Sequence, residues 1–490
     1  MMTEADLLAR IPTDLFIGGK WRPASTGERL DVIDPSTGEA IASVADASPE
    51  DGAAALDAAH TAQRAWSRTA PRERGELLRR AFELVTERAE EFALVMTLEM
   101  GKTLAESRAE VAYGAEFLRW FSEEAVRISG RYSTAPDGRN RLLVTKRPVG
   151  PSLFITPWNF PLAMATRKIA PALAAGCTSV LKPAALTPLT ALLFARVLEE
   201  AGLPVGVVNV IPTTRAGAVT GPLIADDRLR KLSFTGSTEV GRRLIADAAH
   251  QVLRVSMELG GNAPLIVFDD ADLGAAVDGA MLAKLRNGGE ACTAANRLLV
   301  HEGVVEEFTT RLVERMRVHT IGRGTDPAAR IGPLVDAATR DKVQELVDGA
   351  VAQGARVALG GAPIDGPGYF YPPTVLVDVP AGASILREEI FGPVAPIVTF
   401  YDEEEAIALA NATQYGLVAY VFTRDLDRGL RIAEELEVGM LGLNAGVISN
   451  PAAPFGGVKQ SGLGREGGVE GIEEYLETQY VGISDPTARR

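Results

Sequence analysis

The chain has 490 residues, 46% of them hydrophobic and 23% charged, a balance that excludes wholesale disorder. Fifty Lys and Arg against 64 Asp and Glu leave a net charge of −14, which excludes a general nucleic-acid or anionic-membrane binder but leaves room for a local basic pocket that takes one small anion. Two cysteines, Cys177 and Cys292, cannot build a disulfide framework, and neither they nor the four scattered histidines have metal-ligand spacing, so no metal site is expected. The N-terminal stretch carries acids and lacks an apolar signal core, and no run reaches 18 uninterrupted apolar residues. A soluble cytoplasmic protein is expected, of about three domains at roughly 150 residues each.

In chain order, helical periodicity runs from Pro49 to about Ile128, with Ser48 or Pro49 opening the first helix and Glu50 and Asp51 in its first turn. RERGELLRRAFELVTERAEEFALVMTLEMG reads as one continuous helix ending at Gly101. Residues 129–147 look like a two-stranded excursion around Asp137-Gly138. Short apolar strands then alternate with helices: SLFIT, the helix RKIAPALAAG, TSVLKP, the helix TALLFARVLEEAG, VGVVNVIP, KLSFTG and APLIVF. That is the doubly wound α/β pattern of a parallel sheet with helical crossovers. A second α/β block follows from Gly260, with the helix DLGAAVDGAMLAKLRN, a glycine-rich loop around Cys292, the strand RLLVHE and later VAPIVTFY. The tail EGIEEYLETQYVGI could extend a sheet.

Two phosphate-loop look-alikes fail on context. Gly462-Leu463-Gly464-Arg465-Glu466-Gly467 matches G-x-G-x-x-G, but no apolar strand leads into it, so a turn is the better reading. Gly101-Lys102-Thr103 resembles the end of a P-loop without its leading glycine. Cys292 is different. A lone cysteine is usually a small buried hydrophobe, and Cys177 is read that way. Cys292 instead sits in Arg286-Asn287-Gly288-Gly289-Glu290-Ala291-Cys292-Thr293, a polar loop whose backbone N–H groups could stabilise a thiolate. Pro157-Trp158-Asn159-Phe160-Pro161, Leu181-Lys182-Pro183-Ala184, Phe234-Thr235-Gly236-Ser237 and Met257-Glu258-Leu259-Gly260-Gly261-Asn262 each follow a predicted strand, where open α/β sheets bind ligands.

With PWNFP, LKPA, FTGSTEVG, MELGGNAP, GGEACTAANR, EEIFGPV and PFGGVKQSGLGREGG in order, the sequence resembles the aldehyde dehydrogenase superfamily over essentially its whole length. The resemblance implies a Rossmann-type cofactor domain (1–128 and 148–259), an α/β catalytic domain (260–455) and a small bridging sheet (129–147 and 470–490) used in forming a homodimer or homotetramer. It implies Cys292 as nucleophile, Glu258 as general base, and the Asn159 amide with the Cys292 N–H as oxyanion hole. For the cofactor it implies Lys182 at the adenosine ribose, Gly236 and Ser237 at the pyrophosphate, Glu389 and Phe391 at the nicotinamide ribose, with Ile155, Trp158, Ala185 and Leu259 lining the site. Thiolate addition to an aldehyde makes an alkoxide that needs aimed donors, and thioester release needs a base, so the residue types suit the chemistry.

Within the superfamily the chain is most similar to succinate-semialdehyde dehydrogenases, on WFSEEAVRISG, ITPWNFPLAMATRKIAPALAAG, SMELGGNAPLIVFDDAD and LEVGMLGLN. That resemblance implies that Arg167, Arg286 and Ser449 grip a substrate carboxylate, as a charge-assisted clamp would. The plain alternative is that both arginines pair with local acids. Glutarate semialdehyde or another short-chain aldehyde is the second substrate reading. Some members carry a second Cys two residues after the nucleophile; Ala294 stands there, so no disulfide switch is expected. Many NAD-preferring members place an acid three residues after the ribose Lys; Ala185 stands there, which favours NADP with NAD still usable. Relatives that use coenzyme A lack the base, a non-catalytic relative would lose Cys292 or Glu258, and a thiol hydrolase would need a histidine near a motif.

Overall fold

A computed structural model of the chain describes residues 3–485 and residue 487. The last residues of the predicted 470–490 segment therefore lie partly outside the described residues. Four helices, Pro49–Trp66, Pro71–Glu87, Ala89–Met100 and Leu104–Glu124, form the helical N-terminal third. Ser48 opens the first by accepting from the Glu50 and Asp51 N–H groups while Asp51 accepts from the Ser48 N–H, a reciprocal cap. The expected single helix from Arg72 to Gly101 is two, broken at Arg88 with φ −99° and ψ 24°. Gly101 does end the second, in the left-handed region at φ 94° with its N–H on the Thr97 carbonyl.

Two large sheets carry the rest. Among the described residues the first has eight strands, with its parallel centre in the order Val208–Val210, Ser179–Lys182, Ser152–Ile155, Lys231–Thr235, Arg254–Glu258. Those five strands are almost fully buried and helices cover both faces, as a parallel sheet requires. The second has seven, in the order Arg356–Leu359, Thr374–Val377, Val394–Phe400, Ala295–His301, Ala263–Val267, Val418–Phe422, Met440–Leu443. A separate three-stranded antiparallel sheet pairs Arg131–Thr134 and Asn140–Pro148 with the tail strand Leu476–Ser484. The expected two-stranded excursion thus gains its third strand from the other end of the chain. No described helix is long and apolar enough to cross a membrane.

The connection between the sheets places the site. The Glu258 strand ends the parallel run of the first sheet, and Gly260-Gly261-Asn262 leads directly into Ala263–Val267 of the second. The glycine-rich tail run folds back onto this junction. Gly462-Leu463 pairs antiparallel with Met257-Glu258, so the G-x-G-x-x-G segment is a brace for the Glu258 strand and not a dinucleotide loop. Gly462 has φ 129°, and a Cβ there would lie 1.8 Å from the Met257 carbonyl oxygen. Gly462→Ala should therefore destabilise the fold by at least about 2 kcal/mol through backbone strain and displacement of the brace. Thermal unfolding checks this; an unchanged Tm would mean that the brace is loose.

Candidate active site

Cys292 lies at the end of a loop that only unusual backbone can form. Asn287, Gly288 and Gly289 are all left-handed, at φ 58°, 64° and 81°. A Cβ on Gly289 would lie 2.3 Å from the Gly392 carbonyl, so glycine is needed for close approach as well as for conformation. The loop is tied to the segment before the helix Pro161–Ala175. Asn159 donates from Nδ2 to the Glu290 carbonyl at 3.1 Å, and Asn287 donates to the Asn159 and Glu290 carbonyls at 3.0 Å each. One N–H of the Asn159 amide thus remains free. The Cys292 N–H has no acceptor among the described residues, so two donors are available beside the thiol.

Lys102, from the P-loop look-alike, takes part here. Its ammonium is fully buried, 2.6 Å from Glu110 and 2.7 Å from the Asn159 carbonyl, and 4.4 Å from the Phe160 ring centroid. The other Glu110 oxygen accepts the Leu162 and Ala163 N–H groups at 2.9 and 3.1 Å, capping the helix that follows. The motif binds no phosphate in this arrangement; it fixes the backbone that aims Asn159.

The site's carboxylates are separated in character by their surroundings. Glu466, from the brace, is bridged by Arg167 and Lys168 at 2.5 Å each; burial would push its carboxyl up, but the two cations outweigh this and hold it ionised. Glu258 is 3% exposed, and neither carboxylate oxygen has a partner among the described residues. Burial first, then repulsion from Glu466, pushes it well above the usual carboxylate range. Burial likewise pushes the half-buried Cys292 thiol up to about 12, against the pull of Arg167 and Arg286. The surroundings thus favour the neutral form of both the Cys292 thiol and the Glu258 carboxyl.

One cavity of about 230 Å³ contains this centre, and a second of about 230 Å³ is lined by Asn287 of the Cys292 loop and by Phe160, the neighbour of Asn159. One is lined by Trp158, Asn159, Gly236, Ser237, Glu258, Leu259, Cys292, Glu389 and Phe391, which brings together most of the residues singled out in the sequence. Thr339 and Lys342 complete it and were missed, because nothing in the sequence around them marks a ligand. Phe391 is left-handed at φ 57° and its ring meets Trp158 edge-on at 5.4 Å. Glu389 accepts from the Gly261 N–H, and burial pushes its carboxyl up to about 7. Ile155 and Lys182 are register partners at the ends of adjacent parallel strands, just outside this lining, and Ala185 lies half-buried on the next turn. Lys182 is buried without an ion pair among the described residues, and that burial lowers its ammonium to about 8.

The other cavity is lined by Arg286, Ser449, Tyr113, Phe160, Asn287, Val447, Ala109, Glu106 and Glu110. Arg286 and Ser449 are thus brought together, as expected. Arg167 is not in this lining: its guanidinium is committed to Glu466 and stacked 4.1 Å from the Phe455 ring centroid, 1% exposed. The reading in which Arg167 pairs with an acid describes its contacts, while Arg286 makes no ion pair among the described residues and lies 5.1 Å from the Phe160 ring centroid. Among the described residues no three metal-ligating side chains cluster.

The aldehyde dehydrogenase family matches residues 21–481. The chain belongs to the aldehyde dehydrogenase family. It is 65% identical to a succinate-semialdehyde dehydrogenase of Paenarthrobacter nicotinovorans over 91% of this chain and 99% of that protein. It is 50% identical to a glutarate-semialdehyde dehydrogenase of Pseudomonas aeruginosa, covering 95% and 96% of the two chains. The crystal structure of an E. coli NADP dependent enzyme superposes with a TM-score of 0.96 at 48% identity, covering 99% of this chain and all of that one. The two-sheet architecture with its separate small sheet is thus the aldehyde dehydrogenase fold.

In an aldehyde dehydrogenase, the electrostatics above give a testable sign. Glu258 is raised partly by Glu466, so Glu466→Gln removes the repulsion and leaves Arg167 and Lys168 to favour the Glu258 carboxylate. Its pKa falls, and the acid limb of kcat should move to lower pH. The variant also loses about 3–5 kcal/mol of stability by breaking a buried ion cluster, so rates are compared below its Tm. An acid limb that stays put or moves up would contradict the coupling.

Proposed function

We propose that this chain oxidises succinate semialdehyde to succinate with a nicotinamide cofactor. The observation that carries the proposal is the second cavity: Arg286 without an acid partner, Ser449, and the Tyr113 hydroxyl, whose oxygen is buried with no hydrogen-bond partner among the described residues. Tyr113 had no signal in the sequence beyond its place on an amphipathic helix. The acids in the cavity do not oppose a carboxylate. Glu110 is neutralised by Lys102, and burial pushes Glu106 up towards its neutral form. A cavity of about 230 Å³ suits a four-carbon chain. The succinate-semialdehyde name of the 65% relative supports this reading, and the glutarate-semialdehyde name of the 50% relative keeps the five-carbon substrate as the second one.

The roles follow from position. Cys292, once deprotonated, adds to the aldehyde carbon, and the new alkoxide takes the free Asn159 amide N–H and the Cys292 N–H. A nicotinamide cofactor held in the first cavity would supply the acceptor for the hydride that leaves that carbon. Cys292 is left holding a thioester, Glu258 takes a proton from water, and the hydroxide displaces the thiolate to release the acid. The cofactor cavity fits such a group. Ser237 caps the helix Thr238–Ala249 directly after a parallel strand, Lys182 is an unpaired buried cation, and Glu389 faces the same space. Glu389 with Phe391 would hold the nicotinamide ribose, Gly236 with Ser237 the pyrophosphate and Lys182 the adenosine ribose, with Ile155, Trp158 and Leu259 alongside. NADP is the favoured form, supported by Ala185 beside Lys182 and by the NADP dependent structural neighbour. The first sheet serves as cofactor domain and the second as catalytic domain. The small sheet exposes Tyr132, Tyr480 and Ile483, which supports its use in a homodimer or homotetramer. Cytoplasmic residence completes the reading.

Arg286→Ala should lower kcat/KM for succinate semialdehyde by about 30- to 4,000-fold, the equivalent of about 2–5 kcal/mol for a desolvated carboxylate left unpaired. Tyr113→Phe, which deletes one neutral donor, should lower it by about tenfold. Butanal has no carboxylate, so it should be a poor substrate of the parent and change little in either variant. Equal losses on both substrates would make the residues structural. For the cofactor, Ala185→Glu should raise KM for NADP more than for NAD, since a carboxylate near a 2′-phosphate repels it by roughly 1–4 kcal/mol. Equal effects would place the phosphate elsewhere.

A further inference from the structure

A groove of about 1030 Å³ opens at the end of the first sheet opposite the catalytic residues. Asn159, Gly236 and Leu259 follow the carboxyl ends of parallel strands, whereas this groove is built where two of those strands begin, from Pro151 before Ser152–Ile155 and Arg230 before Lys231–Thr235. The last turn of Pro49–Trp66 and the residues after it supply Arg64 and Arg68, and the end of Asn140–Pro148 supplies Arg147. Arg228 and His60 complete the basic lining.

These arginines are not there to pair with acids. Arg228 is anchored to Asp57 and Asp226, but Arg64, Arg68, Arg147 and Arg230 make no ion pair among the described residues. Glu477 is the register partner of Arg147, yet its carboxylate goes to Arg254 at 3.4 Å. Asp227 is the single acid in the lining. In a chain of net charge −14, acids are plentiful, so four exposed arginines facing one groove without an acid partner among the described residues leave a local positive field, screened by salt, that an anion would neutralise. The walls are also fixed. Arg230 donates its N–H to the Pro151 carbonyl at 2.9 Å, and its side chain crosses Gly150, where a Cβ would lie 2.9 Å from the Arg230 Cγ. Gln63 bridges the Gly176 carbonyl and the Thr178 N–H at 2.9 Å each.

We propose that this groove binds a small polyphosphate anion, free or as the phosphate chain of a nucleotide. Guanidinium forks match phosphate oxygens in pairs, and the volume is that of a nucleotide-sized ligand, larger than either catalytic cavity. The net negative charge of the chain disfavours a nucleic acid there.

The test is calorimetric titration of the full-length enzyme saturated with NADP, so that the cofactor's own phosphate sites are occupied. Tripolyphosphate, ATP without magnesium, adenosine and sulfate are the probes. Tripolyphosphate should bind with a Kd below about 1 mM in low salt and weaken at least about tenfold by 0.2 M salt. ATP binding more tightly than tripolyphosphate identifies a nucleotide site; equal affinity identifies a polyphosphate site; adenosine should not bind. The variant R68Q/R147Q/R230Q should lose at least about tenfold in affinity with dehydrogenase activity unchanged. The proposal is overturned if the variant binds as well as the parent or if sulfate at equal ionic strength binds as well. A change in the variant's oligomeric mass with no loss of anion affinity also overturns it and makes the groove a subunit contact.

Discussion

Glu466 is a buried carboxylate, 4% exposed, held by two cations buried still more deeply, and the candidate active site hangs on that cluster. Arg167 and Lys168 belong to the helix Pro161–Ala175, which begins just after Asn159, while Glu466 belongs to the tail segment that braces the Glu258 strand. One triad thus joins two parts of the chain 299 residues apart and, through the brace, the Glu258 strand. Lys168 also donates to Ser233 at 2.9 Å, which links the same cluster to the strand leading to Gly236. A buried ion cluster of this kind adds little net stability over an apolar one, but losing any single member leaves an uncompensated charge, so it enforces one arrangement.

The same burial sets the chemistry. Glu258 is buried and Cys292 and Glu389 are half-buried on the same cavity wall, and desolvation pushes each towards its neutral form. Glu466 escapes because its cations are in contact; Glu258 does not, because its oxygens have no partner. Two carboxyl groups in one interior are therefore shifted in opposite directions for a reason visible in their neighbours. A carboxyl whose affinity for a proton is raised by burial is better matched to accepting one from water than an ordinary surface carboxylate.

Much of this was legible in the sequence. The alternation of apolar strands with helices gave the doubly wound pattern, and strand-end motifs around Trp158, Gly236 and Glu258 fell into one cavity because parallel strands carry their carboxyl ends to one side. The helix break at Arg88 was not legible, since neither Gly nor Pro marks it and the apolar spacing continues through it. Lys102 and Glu466 were present inside rejected phosphate motifs, and their roles depend on tertiary partners that no local spacing encodes. The resemblance implies Arg167 at the substrate carboxylate; in the structure its Nε donates to Glu466, its buried Nη2 has no hydrogen-bond partner among the described residues, and Tyr113 rather than Arg167 stands in the lining.

The central claim is that Cys292 forms a thioester which Glu258-activated water then hydrolyses. Rapid mixing of Glu258→Gln with succinate semialdehyde and NADP, followed by mass analysis of the quenched protein, tests it directly. The account predicts one equivalent of reduced nicotinamide per active site, a succinyl group on the peptide containing Cys292, and steady-state turnover at least about 100-fold slower than the parent. Parent-like turnover, or a burst with the acyl group on any other residue, would contradict it.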